Sequence, residues 1–335
     1  MKKSDTFPGL DPRFLQPDGW RWHIFTLPDG RRLRFGTAAP KGKIPDAVVV
    51  CLPGLSEFSE KYFELAQNLL DRNLSLWVLD WMGQGKSDRY MKNNPHKRHS
   101  VGFDRDLDDL HFFIMEYVKH ACVHPDVGRI PMVMLAHSMG ANIGLRYLIR
   151  HPDIFAGAAF TAPMVGIYAT KLLPGFITRA VSWVLNFFVG SFYVPKGSDW
   201  NPEERDDPNH NIFSTDPIRK GVHNAWYRAD PALQVGSVTF GWVYHALQSC
   251  AVLQHEFKKS PPTLPILVGL AKKEILVDND QAVKLLEKNS NVTIIEFPDS
   301  FHEILMEKDD IRGKFIDSLG EMLQKNNVQE KLKPF

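Results

Sequence analysis

Short, continuous apolar runs separated by amphipathic stretches constrain this chain more than any other feature. Ala47 to Leu52 reads AVVVCL, Leu74 to Leu79 reads LSLWVL, Ile130 to Leu135 reads IPMVML, and Phe155 to Thr161 reads FAGAAFT. Each run is short for a helix and too uniformly apolar for a strand with one wet face. That is the mark of a strand buried on both faces of a parallel sheet. The stretches between them carry helical spacing. Tyr62, Leu65, Ala66, Leu69 and Leu70 share one face, as do Phe103, Leu107, Leu110, Ile114 and Tyr117, and Ala141 to Ile149 reads as the next helix. The alternation resumes late, with a strand at Leu264 to Gly269, a helix near Gln281 to Glu287, a strand at Val292 to Phe297 and a helix at Ile311 to Gln324. Ahead of it all, Trp20 to Leu27 alternates, Pro28-Asp29-Gly30 supplies turn chemistry, and Leu33 to Phe35 begins a return strand. The pattern predicts an α/β fold with a mostly parallel, doubly wound sheet. Its ligand site belongs at the carboxyl ends of the strands.

The alternation is interrupted between about Pro163 and Pro262. At 335 residues the chain exceeds the usual ~250–300 residues of a single core, so an inserted unit is the natural use of the surplus. The expected organisation is a core of residues 1–162 and 263–335 carrying an inserted, mainly helical cap at 163–262, over the mouth of the site. Lys and Arg number 40 against 39 Asp and Glu, a net charge of +1, which argues against a general nucleic-acid binder. No internal repeat is visible. Three separated cysteines, Cys51, Cys122 and Cys250, make no disulfide framework and point to a reducing, cytoplasmic setting. Met1 to Leu10 lacks the apolar region of a secretory signal. Leu172 to Phe192 is apolar, but Pro174, Arg179 and Asn186 interrupt it, so a spanning helix is not expected.

The chemistry sits at Met134 to Gly144, MLAHSMGANIG. A buried strand ends, a small-X-Ser-X-Gly element follows, and a helix begins. Such a turn holds Ser138 in a strained conformation above the sheet and needs small neighbours at Ala136 and Gly140. It also aims the Met139 N–H and the helix N-terminus at a developing oxyanion. The base belongs after the last strand, where His302 lies in FPDSFHEIL. The acid belongs after the strand ending at Gly269. Glu274 and Asp278 are both available there; Glu274 comes sooner after the strand, and Asp278 could instead cap the following helix. A second oxyanion donor is expected from Leu55, after the first buried strand, with Gly54 letting backbone approach the substrate. Two other patterns lead nowhere. Gly85-Lys86-Ser87 lacks the first glycine of a phosphate loop, and Met306 stands where a zinc helix starting at His302 needs its second histidine. No metal or cofactor is implied.

Read together, PGLSEFSEKYFELAQNL (53 to 69), LDWMGQGKSDR (79 to 89), AHSMGANI (136 to 143), KKEILVDN (272 to 279) and FHEILMEKDDIR (301 to 312) resemble the bacterial lysophospholipase and monoacylglycerol lipase branch of the α/β-hydrolases. FSTDPIR (213 to 219) and VTFGWV (238 to 243) extend the likeness into the insertion. The resemblance implies an α/β-hydrolase fold, a triad on Ser138, Glu274 and His302, and hydrolysis of acyl esters of glycerol or lysophospholipid. Ala136 departs from the family's first elbow glycine, and Pro53 stands where monoacylglycerol lipases carry histidine.

The insertion is rich in aromatic residues. Trp183 and Phe188 are candidates for contact with an acyl chain, and Leu172 to Phe192 is a candidate for peripheral membrane contact. Asn201 to His210 is acidic; Glu203, Glu204, Asp206 and Asp207 could instead receive a peptide amine, which leaves a proline iminopeptidase-like aminopeptidase open. A catalytically silent ligand-binding member of the fold is the third possibility. Lys92 to His99 reads as a solvated basic loop.

Overall fold

The computed structural model describes residues 9–206 and 212–325. The hairpin is present: β1 (Arg21–Thr26) and β2 (Arg32–Ala38) pair antiparallel, and the turn places Gly30 at φ +87°. Next come β3 (Ala47–Leu52), α1 (Phe63–Leu70), β4 (Leu74–Leu79) and α2 (Phe103–Phe113). A π turn at Ile114–Val118 carries α2 into the short α3 (Lys119–Ala121). A two-stranded ladder of β5 (Val123–His124) and β6 (Gly128–Arg129) then leads to β7 (Met132–His137), α4 (Met139–Arg150) and β8 (Gly157–Thr161). The α-helices that follow among the described residues are α5 (Gly175–Val189), α6 (Glu203–Asp206), α7 (Arg219–Ala229) and α8 (Phe240–Lys259). The chain closes with β9 (Ile266–Ala271), α9 (Asn279–Leu286), β10 (Val292–Phe297) and α10 (Asp309–Lys325).

The main sheet runs β1-β2-β4-β3-β7-β8-β9-β10. The β1-β2 and β2-β4 pairs are antiparallel, and every pair from β4 to β10 is parallel. Alternation along each strand divides the core into two layers. Val48, Val50 and Leu52 of β3 point to the side covered by α2, α4 and α8, while Val49 and Cys51 point to the side covered by α1 and α10.

The segment between β8 and β9 divides by packing. Cys250, Leu253 and Phe257 of α8 join the first layer, and Val222, Trp226 and Tyr227 of α7 join the second. Hence α8 is buried like an ordinary crossover helix. The outer part is different: Leu172, Phe176, Phe187 and Phe188 are 95%, 69%, 72% and 74% exposed. Among the described residues no helix is long and apolar enough to cross a membrane.

The Gly85-Lys86-Ser87 loop wraps a carboxylate of the protein itself. Asp80 accepts from the Lys86 N–H at 2.9 Å and from Arg34 Nε at 2.6 Å, and a Cβ on Gly85 would fall 2.1 Å from Asp80 Oδ2. The glycine is required by this contact and by its positive φ, not by a phosphate.

Candidate active site

Register places the key loops side by side. Leu52 pairs with Ala136, and Ala136 pairs with Phe160, so the loop after β3 and the turn after β7 emerge together. Ser138 takes φ 51° and ψ −114°, a conformation costly for a residue with a side chain. Backbone bonds hold it there: its N–H donates to Thr161 O at 3.0 Å, and its carbonyl accepts from Met164 N at 3.1 Å. The small-neighbour requirement is steric. A Cβ on Gly140 would lie 2.2 Å from the Leu52 carbonyl oxygen.

Three of the residues expected in the site come together at the carboxyl ends of β7, β9 and β10. His302 Nε2 lies 2.9 Å from Ser138 Oγ, and His302 Nδ1 lies 2.6 Å from Glu274 Oε2. All three are buried. Burial alone would raise the Glu274 carboxyl. The His302 imidazole and the Leu276 and Val277 N–H groups outweigh it and hold Glu274 below the usual glutamate range. Asp278 is occupied elsewhere: its carboxylate caps α9, accepting from the N–H groups of Asp280 at 3.0 Å and Gln281 at 3.3 Å. No competing thiol is poised here, because burial pushes Cys122 and Cys250 up to about 12.

The loop Pro53 to Glu57 is pinned by side chains that the sequence reading passed over. Trp81 Nε1 donates to Pro53 O at 2.8 Å. Gln84 Nε2 donates to the carbonyls of Gly54 and Glu57, and Gln84 Oε1 accepts from the Ser56 N–H. The Gly54 N–H donates to Glu57 Oε2 at 2.6 Å, and Tyr227 of α7 donates to Ser56 O at 2.9 Å. Among the described residues the Leu55 N–H has no acceptor, and the Met139 N–H, first in α4, cannot have one within its helix. Gly54 is packed against the site rather than left open: a Cβ there would sit 2.8 Å from His137 Cδ2 and 3.3 Å from Ser138 Cβ.

The insertion is tied to the histidine loop. The N–H groups of His302 and Glu303 donate to Ile212 O and Phe213 O at 3.4 and 2.8 Å. Glu307 accepts from Thr215 N at 2.9 Å and from Phe301 N at 2.7 Å. Trp183 and Phe188 lie elsewhere, on the outer face of α5, 57% and 74% exposed. Of the acidic stretch, Asp206 is engaged by Arg228 and by Asn224, and Asp207 lies outside the described residues.

His137 lies beneath His302, with ring centroids 4.7 Å apart. Desolvation is the main cause that pushes it down to about 4, against the pull of Glu57. The folded protein therefore resists a proton that the unfolded chain accepts near pH 6.5. The stability His137 provides is complete above that pH and is lost as pH falls toward 4, by roughly 3 kcal/mol at most. Asp106, pushed up to about 7 chiefly by burial, works in the opposite sense. Comparison with a variant isolates the histidine. His137→Asn should lose less melting temperature than the native protein between pH 7.5 and pH 5. Equal losses in calorimetry would refute the assignment.

Residues 43–309 match the family model described as "Serine aminopeptidase, S33". Lysophospholipase L2 of Escherichia coli K12 is 30% identical over 294 residues, covering 84% of this chain and 82% of the relative. Human monoglyceride lipase is 28% identical over 293 residues, covering 83% and 87%. A soluble variant of the Saccharomyces cerevisiae monoglyceride lipase, solved with a substrate analog, superposes with a TM-score of 0.74 at 16% identity, over 96% of this chain and 98% of that one. The fold, the matched span and the relatives agree: the chain belongs to the serine aminopeptidase S33 family of the α/β-hydrolase superfamily, on the branch of the lysophospholipases and monoglyceride lipases.

Proposed function

We propose that the protein is a serine hydrolase of carboxylic acyl esters, with monoacylglycerols and lysophospholipids as its substrate classes. The observation that carries the reading is the hydrogen-bonded chain Glu274–His302–Ser138, with the Leu55 and Met139 N–H groups free of an acceptor among the described residues. His302 Nε2 takes the Ser138 proton as Oγ attacks the acyl carbonyl. The Met139 and Leu55 N–H groups hold the oxyanion, and Glu274 stabilises the imidazolium. His302 then protonates the leaving alkoxide, and water, activated by the same histidine, releases the acid from the acyl-enzyme. The names of the relatives support ester substrates of this kind.

In this reading the cap expected at 163–262 is its outer part around α5, since α7 and α8 pack into the core. Trp183 and Phe188, exposed on the outer face of α5, belong with that outer apolar surface rather than with a wall beside Ser138. The exposed apolar side chains of Leu172 and Phe176 meet the lipid surface as an interfacial element, and past the other end of α5 Lys97 lies beside Phe192 and Tyr193. Leu172→Ser/Phe176→Ser should cut turnover of a long-chain monoacylglycerol in anionic vesicles about tenfold. Turnover of a soluble butyrate ester should stay within about twofold. Equal effects on both substrates would overturn the membrane role.

The family description gives an aminopeptidase a hearing, yet the carboxylate of Asp206 is already satisfied by Arg228 and Asn224. A panel of esters from about two to sixteen acyl carbons, run beside a proline amide, decides it. Ester turnover should dominate and peak at long chains. Faster amide cleavage would favour the aminopeptidase, and turnover of neither would favour a silent binding protein.

A further inference from the structure

Beneath the triad lies a buried ionic cluster that the mechanism above does not use. Lys61, in the 3-10 turn Ser59–Tyr62, has a side chain only 1% exposed. Its Nζ lies 2.7 Å from Glu57 Oε1 and 2.7 Å from Glu303 Oε1. Both carboxylate side chains are buried as well, at 5% exposure. Glu57 belongs to the oxyanion loop, and its other oxygen accepts from the Gly54 N–H and the Tyr62 hydroxyl, each at 2.6 Å. Glu303 is the next residue after His302. Glu57, Lys61, Tyr62, His137 and Glu303 line one small cavity directly below the site.

A single ammonium thus joins two loops that are remote in sequence. One supplies an oxyanion donor and the other supplies the base. A buried ion cluster of this kind is a poor source of net stability, because desolvation of each charge offsets the attraction. What it fixes is distance. The Leu55 N–H and the His302 ring must both keep register with Ser138 Oγ, and a small misplacement of either costs rate rather than binding.

We infer that Lys61 is a positioning residue, holding the oxyanion loop and the histidine loop in mutual register through Glu57 and Glu303. The inference rests on the serine-hydrolase reading above, so the native protein and Ser138→Ala are first treated with a fluorophosphonate. Absence of labelling in the native protein would sink that reading and leave the positioning role without a reaction. With labelling established, Lys61→Met should lower kcat about 30- to 100-fold with KM within about threefold. Labelling of Ser138 should slow by a similar factor. Lys61→Arg should recover most of the loss.

A variant that merely unfolds does not escape the test. Glu303→Gln keeps the shape and loses one end of the link; its kcat should fall about tenfold. The charge-free Glu57→Gln/Lys61→Met/Glu303→Gln protein should regain melting temperature without regaining kcat. The inference is overturned if kcat returns with the melting temperature, if Lys61→Met or Glu303→Gln keeps kcat within about twofold, or if only KM changes.

Discussion

Ser138→Ala should abolish ester hydrolysis, lowering kcat by about 10⁴-fold or more, while the fold and its melting temperature stay close to native. The expectation follows from the geometry. Ser138 Oγ is the atom hydrogen-bonded to His302, and the backbone that presents it is held by Thr161 and Met164 rather than by its own side chain. Removing the hydroxyl therefore removes the proposed nucleophile and little else. Alanine also relieves no strain, since it still carries a Cβ at φ 51°. A residual rate should remain from the proposed Leu55 and Met139 donors, because oxyanion stabilisation persists without a nucleophile. Steady-state hydrolysis of a medium-chain ester, with circular dichroism as the control, measures both halves of the prediction.

Glu274→Ala should lower kcat by about 10³–10⁴-fold, whereas Asp278→Ala should keep kcat within about threefold and cost about 1 kcal/mol of stability. The two carboxylates are four residues apart and chemically equivalent in solution. The fold separates their work. Glu274 accepts from His302 Nδ1 and from two backbone N–H groups, so it fixes both the ring and its tautomer. Asp278 satisfies the first N–H groups of α9 and, among the described residues, makes no hydrogen bond to the imidazole. Without Glu274 the imidazolium forms unsupported in a buried site, where an unpaired charge is expensive. A kinetic comparison of the two variants, with unfolding monitored in parallel, reads the division directly. A larger kinetic loss in Asp278→Ala would reassign the acid.

Much of this arrangement was legible in the sequence because it rests on strong local signals. Uniform apolar runs such as AVVVCL mark strands covered on both faces, and β3 and β7 are buried along their whole length. The small residue at 140 marks the tight turn, and the position of His302 after the last run puts its ring within reach of Ser138. The choice between Glu274 and Asp278 was not settled locally, because it depends on how the loop after β9 folds back on the histidine. The charged residues of SEFSEKY and FHEIL were harder still. Charge usually signals solvent, yet Glu57, Lys61 and Glu303 are buried because Lys61 pairs with Glu57 four residues before it and with Glu303 in a distant segment. The bracing by Trp81 and Gln84 is invisible for the same reason: it joins the loop after β4 to the loop after β3. Within the insertion, aromatic content alone did not separate α7 and α8, which pack into the core, from α5, which does not.

The most direct test of the serine-hydrolase account is covalent. The native protein, treated with a long-chain fluorophosphonate and measured as an intact mass, should gain one adduct that maps to Ser138, with esterase activity lost in step with labelling. Ser138→Ala should gain none. No adduct on the native chain, an adduct on another residue, or full ester turnover by the labelled protein would contradict the account.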